Sequence, residues 1–341
     1  MPGRTLLAVD VGSVTQDILY YVGGQDPASC FKMVLPSETQ IVAEKIRQAT
    51  SERKAVFLRG NVMGGGACVA ALKAHVAAGL AAYATTKAGA TIHDSLERVA
   101  DLGVRLVEAA PEAAVAIELG DVRPAKFKAV LELAGLAMPD AFAVAVLDHG
   151  FSPNESNRRF RFKLWERFVE EGAGLGDMAF KEAPPELTRM RAVQEDVPGC
   201  LVMDTAAAAF LGALQDPLVG EAADEGAVVV NLGNQHATAA LVMGRRLMGV
   251  MEHHTCMLNP GKLGWMLSRF RDGDLSGDEV FGDGGHGCVF SRKANGGRFD
   301  LVSITGPQRA MGLECGFYAA SPYGDMMLAG CFGLVAGAGW L

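Results

Sequence analysis

Two short segments, far apart in the chain, carry residues whose types and spacing suit them to hold phosphate. Asp10-Val11-Gly12-Ser13-Val14-Thr15 follows the apolar run Leu6-Leu7-Ala8-Val9, and Asn231-Leu232-Gly233-Asn234 follows Val228-Val229-Val230. In each, Asp or Asn closes a β-rich run, a glycine follows one residue later, and a second apolar run begins. Glycine lets backbone N–H groups approach an anion closely, and a neighbouring carboxylate can hold a hydrated divalent cation. One such segment is also an ordinary hairpin turn; the duplication sets this pair apart. Two such turns facing each other would clamp a nucleoside triphosphate between two domains.

Other residues could add chemistry. Asp204 opens the alanine-rich run Thr205-Ala206-Ala207-Ala208-Ala209, where it is either a helix N-cap or a proton acceptor facing a cleft. Asp148-His149-Gly150 ends an apolar strand, a position where α/β folds expose ligand-binding groups, or where a turn simply caps a histidine. Gly64-Gly65-Gly66 at a helix start could offer N–H groups to an anion, or serve as a tight connection. The segment Glu252-His253-His254-Thr255-Cys256 is unusual, and its adjacent histidines should point to opposite faces of a strand. With His286 and Cys288 it could make a zinc site, although the spacing matches no standard pattern; a phosphate- or substrate-contacting role for His254 is the preferred expectation.

The elements around these residues alternate. Residues 5–35 read as a three-strand meander, 38–50 as a helix, 55–58 as a short buried strand and 161–171 as a helix. The pattern restarts near Cys200: a short strand, the helix at Asp204, strands near 227–231, 237–243 and 246–251, a helix near 260–270, and a last helix from about Asp325 to Ala336. In a meander the third strand returns to the side of the first turn, so 36–39 and 252–255 should come back beside the two phosphate turns. Alternation of this kind means mixed sheets covered by helices.

At 341 residues, half of them apolar and 21% charged, the chain can bury two full cores. A formal charge of −8 argues against nucleic acid as a partner, and the one basic cluster, Arg158 to Lys163, reads as a solvated face. No run is long and apolar enough to span a bilayer, and the N-terminus lacks the shape of a signal peptide. Seven scattered cysteines, with no CxxC pair, fit a reducing cytoplasm.

Together these landmarks resemble the actin-like ATPase superfamily, which includes actin, the large heat-shock chaperones and the acetate and sugar kinases. Asp10-x-Gly12-x-x-Thr15-x-Asp17 is similar to its first phosphate motif, Asn231-x-Gly233 to its second, and Ile304-Thr305-Gly306-Pro307 to its adenosine-side turn. The Asp204 helix with Gly212, and Asp325 to Ala336, resemble its two interdomain helices. More narrowly, the chain looks like an uncharacterised bacterial and archaeal branch loosely labelled pyruvate formate-lyase activating enzyme-like; the iron–sulfur chemistry in that label needs three closely spaced cysteines, which this sequence lacks.

The resemblance implies an α/β chain of two ribonuclease H-like domains, 1–198 with insertions and 199–341, with mixed sheets and an interdomain nucleotide cleft for ATP and Mg²⁺. It implies that Asp10 holds Mg²⁺ through water, that Gly12, Ser13, Val14 and Thr15 cradle the β- and γ-phosphates, and that Gly233 and Asn234 cradle them from the other side. Gly306 would lie near the adenosine. Asn231 stands where the family has Asp and brings no charge, so slow hydrolysis, or binding without turnover, is expected. The alternative is a small-molecule kinase with Asp204 or Asp148 as base. A protein partner or small-molecule substrate would be the object of domain closure.

Overall fold

A computed structural model describes residues 3–291 and 298–341. The chain opens with the meander β1 (Thr5–Val11), β2 (Thr15–Val22) and β3 (Phe31–Pro36), antiparallel throughout. Helix α1 (Glu38–Ser51) follows and buries Val42, Ala43, Ile46 and Ala49 at helical spacing. The chain then leaves the sheet to build a second unit from β4 (Val56–Gly60), α2 (Gly66–Ala77), β5 (Ala82–Ala84), α3 (Thr86–Gly89), α4 (Leu96–Asp101), β6 (Val104–Leu106) and β7 (Val115–Leu119). Its four strands are all parallel, in the order β6-β5-β4-β7. Each parallel pair needs a crossover connection, which the intervening segments supply.

After α5 (Pro124–Leu133) the chain returns to the first sheet with β8 (Ala141–Val146), α6 (Asn157–Glu171), β9 (Ala179–Phe180), α7 (Thr188–Asp196) and β10 (Leu201–Asp204). The completed order is β3-β2-β1-β8-β10-β9, with β8 parallel to both β1 and β10. Helices α8 (Thr205–Ala213) and α9 (Pro217–Glu225) lead into β11 (Ala227–Leu232), β12 (His236–Met243) and β13 (Arg246–His254). Then come α10 (Pro260–Arg271), α11 (Gly277–Gly282), β14 (Gly287–Phe290), β15 (Leu301–Thr305), α12 (Ala310–Leu313), β16 (Tyr318–Ala319) and α13 (Ala329–Gly337). This sheet runs β14-β13-β12-β11-β15-β16, with β11, β15 and β16 parallel.

Both large sheets therefore repeat one plan: an antiparallel three-strand meander whose first strand is joined by two further parallel strands. That is the ribonuclease H-like order, present twice, and the duplicated plan is the actin-like ATPase architecture expected from the motifs.

Three details differ from the sequence reading. The short run 201–203 was expected to open the second unit after residue 198, but β10 pairs with β8 and closes the first sheet. The return helix α13 also packs back onto the first sheet, where Cys331, Phe332, Leu334 and Val335 share a core with Leu6, Ala8 and Ala145. A four-residue apolar run carries no information about which sheet will take it; the crossover through α6 and α7 decides that. Second, α13 begins at Ala329, because the Asp325 side chain accepts from Met327 N at 3.0 Å and forms a local turn instead of opening the helix. Third, the insertion in the first domain is itself a four-stranded parallel sheet, residues 56–119, which the sequence did not mark out.

Helices α8 and α13 cross backbone to backbone. A Cβ on Gly212 would lie 1.7 Å from the Ala329 carbonyl oxygen, and one on Gly333 would lie 1.8 Å from that of Ala208. Only glycine fits at either point.

Candidate functional site

The two expected phosphate turns share one geometry. Gly12 N donates to Thr15 O at 2.9 Å, and Gly233 N donates to His236 O at 2.9 Å. A Cβ on either glycine would sit 2.9 Å from that same carbonyl oxygen, so glycine is required at both. The third strands return beside the turns, as the meander argument expects. Ser37 N donates to Val14 O at 3.0 Å and its hydroxyl to Ser13 O at 3.2 Å. In the second sheet Thr255 N donates to Gln235 O and its hydroxyl to Gly233 O, each at 2.8 Å. Each loop is thus held from behind by a Ser or Thr.

Gly12 and Ser13 on one side, and Asn231, Gly233 and Asn234 on the other, line a single cavity of about 570 Å³. That is the size of a small-molecule site. The parallel sheet contributes its own wall through Gly64, Gly65 and Gly66 at the N-terminus of α2. These glycines follow β4, which pairs β5 on one side and β7 on the other, the switch point where α/β sheets open a crevice. Asp121, just past β7, holds this corner: it accepts from Gly64 N at 3.1 Å and from Arg189 at 2.7 and 2.9 Å.

Several expected site residues lie outside the cavity lining. Val14 is at the exposed tip of the first turn and Thr15 begins β2. Gly306, with φ of +96°, packs behind the second turn, where a Cβ would meet Leu232 O at 2.6 Å and Asn231 Oδ1 at 2.7 Å. Asp10 sits one layer deeper: Thr205, which does line the cavity, donates to Asp10 Oδ1 at 2.7 Å, and Gly330 of α13 presses on its other oxygen. Burial pushes the Asp10 carboxyl up to about 6. Its cross-strand partner Asp17 is pushed up to about 7, by burial and then by Asp10, and Asp17 Oδ1 has no hydrogen-bond partner. The two carboxyls thus face each other across the β1–β2 pair, and one oxygen of Asp17 is left without a partner that a cation could supply.

Asp204 and Asp148 are both already engaged. Arg161 donates to Asp204 through Nη1 at 2.7 Å and Nη2 at 3.2 Å, while Asp204 Oδ1 also caps α8 at Ala206 N. The same Arg161 donates from Nε to Glu252 Oε2 at 2.8 Å and from Nη1 to Asp148 O at 2.9 Å. Arg161, Asp204 and Glu252 are all buried. Both oxygens of Asp204 are thus taken up by Arg161 and the helix cap, and through Arg161 Asp204 is tied to Glu252 of the second sheet. Asp148 accepts from Gly150 N and Met190 N, each at 2.9 Å, and burial raises its carboxyl. The cluster 158–163 is thus solvated only in part: Arg159 and Lys163 are exposed, but Arg161 is buried and Arg158 donates to Gly284 O and Gly285 O.

The sequence named His149 and His286 separately but gave no sign that they converge with His236. His149 after β8, His236 at the start of β12 and His286 before β14 bring ring nitrogens within 4.8 Å of one another. Among the described residues this is the one group of three or more His, Cys, Asp or Glu whose ligand atoms converge closely enough to hold a metal ion. His149 Nε2 lies 3.1 Å from His286 Nε2, and His254 packs edge-on to His286 with ring centroids 4.8 Å apart. His149 and His236 line the cavity; His286 is behind them. The adjacent His253 turns the other way, as expected for a strand, and meets Asp283 at 3.0 Å. Cys288 is not in the group. It packs instead in the core beneath the second sheet. Burial, and then Arg161, holds His149 well below the ordinary histidine range, and burial brings His286 down to about 3.

No curated protein matches this chain. Solved structures that resemble it include ethanolamine utilization protein EutJ from Carboxydothermus hydrogenoformans, at 9% identity and a TM-score of 0.35, over 98% of this chain and 90% of that one. An exopolyphosphatase-like protein gives 10% and 0.31, over 92% and 70%, and the ROK hexokinase from Thermus thermophilus gives 13% and 0.23, over 72% and 49%. At such scores they carry no argument, and the fold rests on the strand orders above. A family model described as "Putative pyruvate format-lyase activating enzyme (DUF1786)" matches residues 63–311. The iron–sulfur cluster that this description brings to mind does not fit: the cysteines are scattered, and no three of them form a ligand group among the described residues. With the greater part of its length matched, the chain belongs to that family.

Proposed function

We propose that the protein binds ATP with Mg²⁺ between the two glycine turns and hydrolyses it slowly, domain closure acting on a partner or substrate. The observation that carries this reading is the pair of turns with one geometry bordering one cavity. Their backbone N–H groups would cradle the phosphates, and Mg²⁺ would supply charge neutralisation there, held through water by Asp10. The residues present account for slow turnover. Asn231 brings no charge, Asp204 is committed to Arg161, and both oxygens of Asp148 accept backbone N–H groups.

A second reading, phosphoryl transfer to a small molecule, is favoured by the cavity reaching past the turns to Gly64–Gly66 and Arg189. That end of the cavity is walled by the three glycines and by Arg189, which is already paired with Asp121. Binding without turnover remains the third reading, motivated by Asn231.

Calorimetric titration of ATP, with and without Mg²⁺, into the native chain and Asp10→Ala tests the main reading. Expected are binding that requires Mg²⁺ and a loss of tenfold or more in the variant. Absence of binding to the native chain would sink it. Phosphate release then separates hydrolysis from binding alone, and a panel of hydroxyl and carboxylate compounds tests transfer.

A further inference from the structure

We infer that His149, His236 and His286, with Glu252 beside them, form a site for one divalent first-row transition-metal ion, of the zinc or ferrous class, opening onto the cavity. The inference is independent of the nucleotide reading.

Four observations support it. First, the geometry: a tetrahedral ion with nitrogen ligands at about 2.0–2.1 Å holds those nitrogens about 3.3–3.4 Å apart. The three imidazoles stand within 4.8 Å of one another, one pair at 3.1 Å. Small side-chain rotations would close the set. Second, the unmet hydrogen-bonding capacity: Glu252 Oε1 and His286 Nδ1 are buried with no partner, and that Glu252 oxygen lies 3.7 Å from His286 Nε2. An orphaned carboxylate oxygen at a buried imidazole is costly unless something positive sits between them.

Third, the charge: one arginine, Arg161, faces two buried carboxylates, Asp204 and Glu252. That leaves one negative charge uncompensated beside the histidines. Fourth, access: His149 and His236 are half-buried and line the cavity, so an ion can enter there and keep a position facing it. An anionic oxygen, of phosphate or carboxylate type, would be its natural fourth ligand.

Full-length protein stripped with chelator is titrated with Zn²⁺ or Co²⁺ alone, by calorimetry and, for cobalt, by visible absorption. Expected are one ion per chain and cobalt d–d bands without thiolate charge transfer. His149→Ala and His236→Ala should each weaken binding at least tenfold, and Glu252→Gln about 10–100-fold. Cys288→Ala and His93→Ala should bind like the native chain. Thermal unfolding without metal checks each variant's fold; if Glu252→Gln does not fold, the two half-buried histidines still decide. Absence of saturable binding to the native chain, binding indifferent to both histidine variants, or loss in Cys288→Ala would each overturn the assignment. No nucleotide is present, so this result stands or falls apart from the Asp10 titration.

Discussion

Replacing Arg161 by methionine removes the strut between the two sheets. The native guanidinium makes contacts of 2.7 and 3.2 Å to Asp204, 2.8 Å to Glu252 and 2.9 Å to the Asp148 carbonyl. Methionine fills much of the volume but leaves both carboxylates buried, at 5% and 0% exposure, without their cation. Breaking one buried ion pair by removing a partner costs about 3–5 kcal/mol. Two carboxylates are stranded here, but either can take up a proton, and each pKa unit of that relief costs about 1.4 kcal/mol at neutral pH. The net expectation is about 4 kcal/mol, a large part of the roughly 5–15 kcal/mol that holds a domain folded. Urea unfolding followed by circular dichroism would read it as a lower midpoint with an unchanged slope. Adding Asp204→Asn and Glu252→Gln to the Arg161→Met chain should recover at least half of the loss, because neutral amides need no counter-charge. A loss below about 1 kcal/mol, or no recovery in the triple variant, would refute the claim that this network is buried and charge-paired.

Three further outcomes follow from the same coordinates. Asp17 has a folded carboxyl raised to about 7 against an ordinary value of 3.8, so its favourable contribution is present below pH 4 and is lost as pH rises toward 7. In metal-free protein, Asp17→Asn should therefore be more stable than the native chain at pH 8, by on the order of 3 kcal/mol, and no more stable at pH 3.5; an equal gain at both values would contradict this. Gly212→Ala places a methyl 1.7 Å from the Ala329 carbonyl oxygen, where about 3.3 Å is normal, and should cost about 3 kcal/mol or more by calorimetric melting. A near-neutral result would mean the helix crossing is looser than described. Thr255→Val removes the 2.8 Å bond to Gly233 O and should cost about 1 kcal/mol while weakening ATP binding several-fold; unchanged affinity would show the second turn holds its shape unaided.

The parts of this molecule written in short-range patterns were readable from residues alone. The two glycine turns, helix α1, helix α10 and the return of 36–39 and 252–255 beside the turns all follow from local periodicity and meander geometry. Gly12, Gly233 and Asp148 line the cavity. What was not readable is what non-local contacts decide. Arg161 sits in a run of basic and aromatic residues that reads as a wet helix face, and only its distant partners Asp204 and Glu252 make it a buried residue. The three histidines come from three separate segments, one of them the start of β12, and have no spacing signature. Strands β5 and β6, three residues each, are too short to announce a separate parallel sheet.

The crossing of α8 and α13 has a mechanical consequence. Where Gly212 and Gly333 meet, main chain rests on main chain. Such a contact resists being pulled apart or pushed together, because the separation is already at its steric minimum, yet it offers little resistance to turning about the point of touch. It is a bearing. A relative rotation of the two sheets about this point would move the cavity walls by an amount that grows with their distance from it.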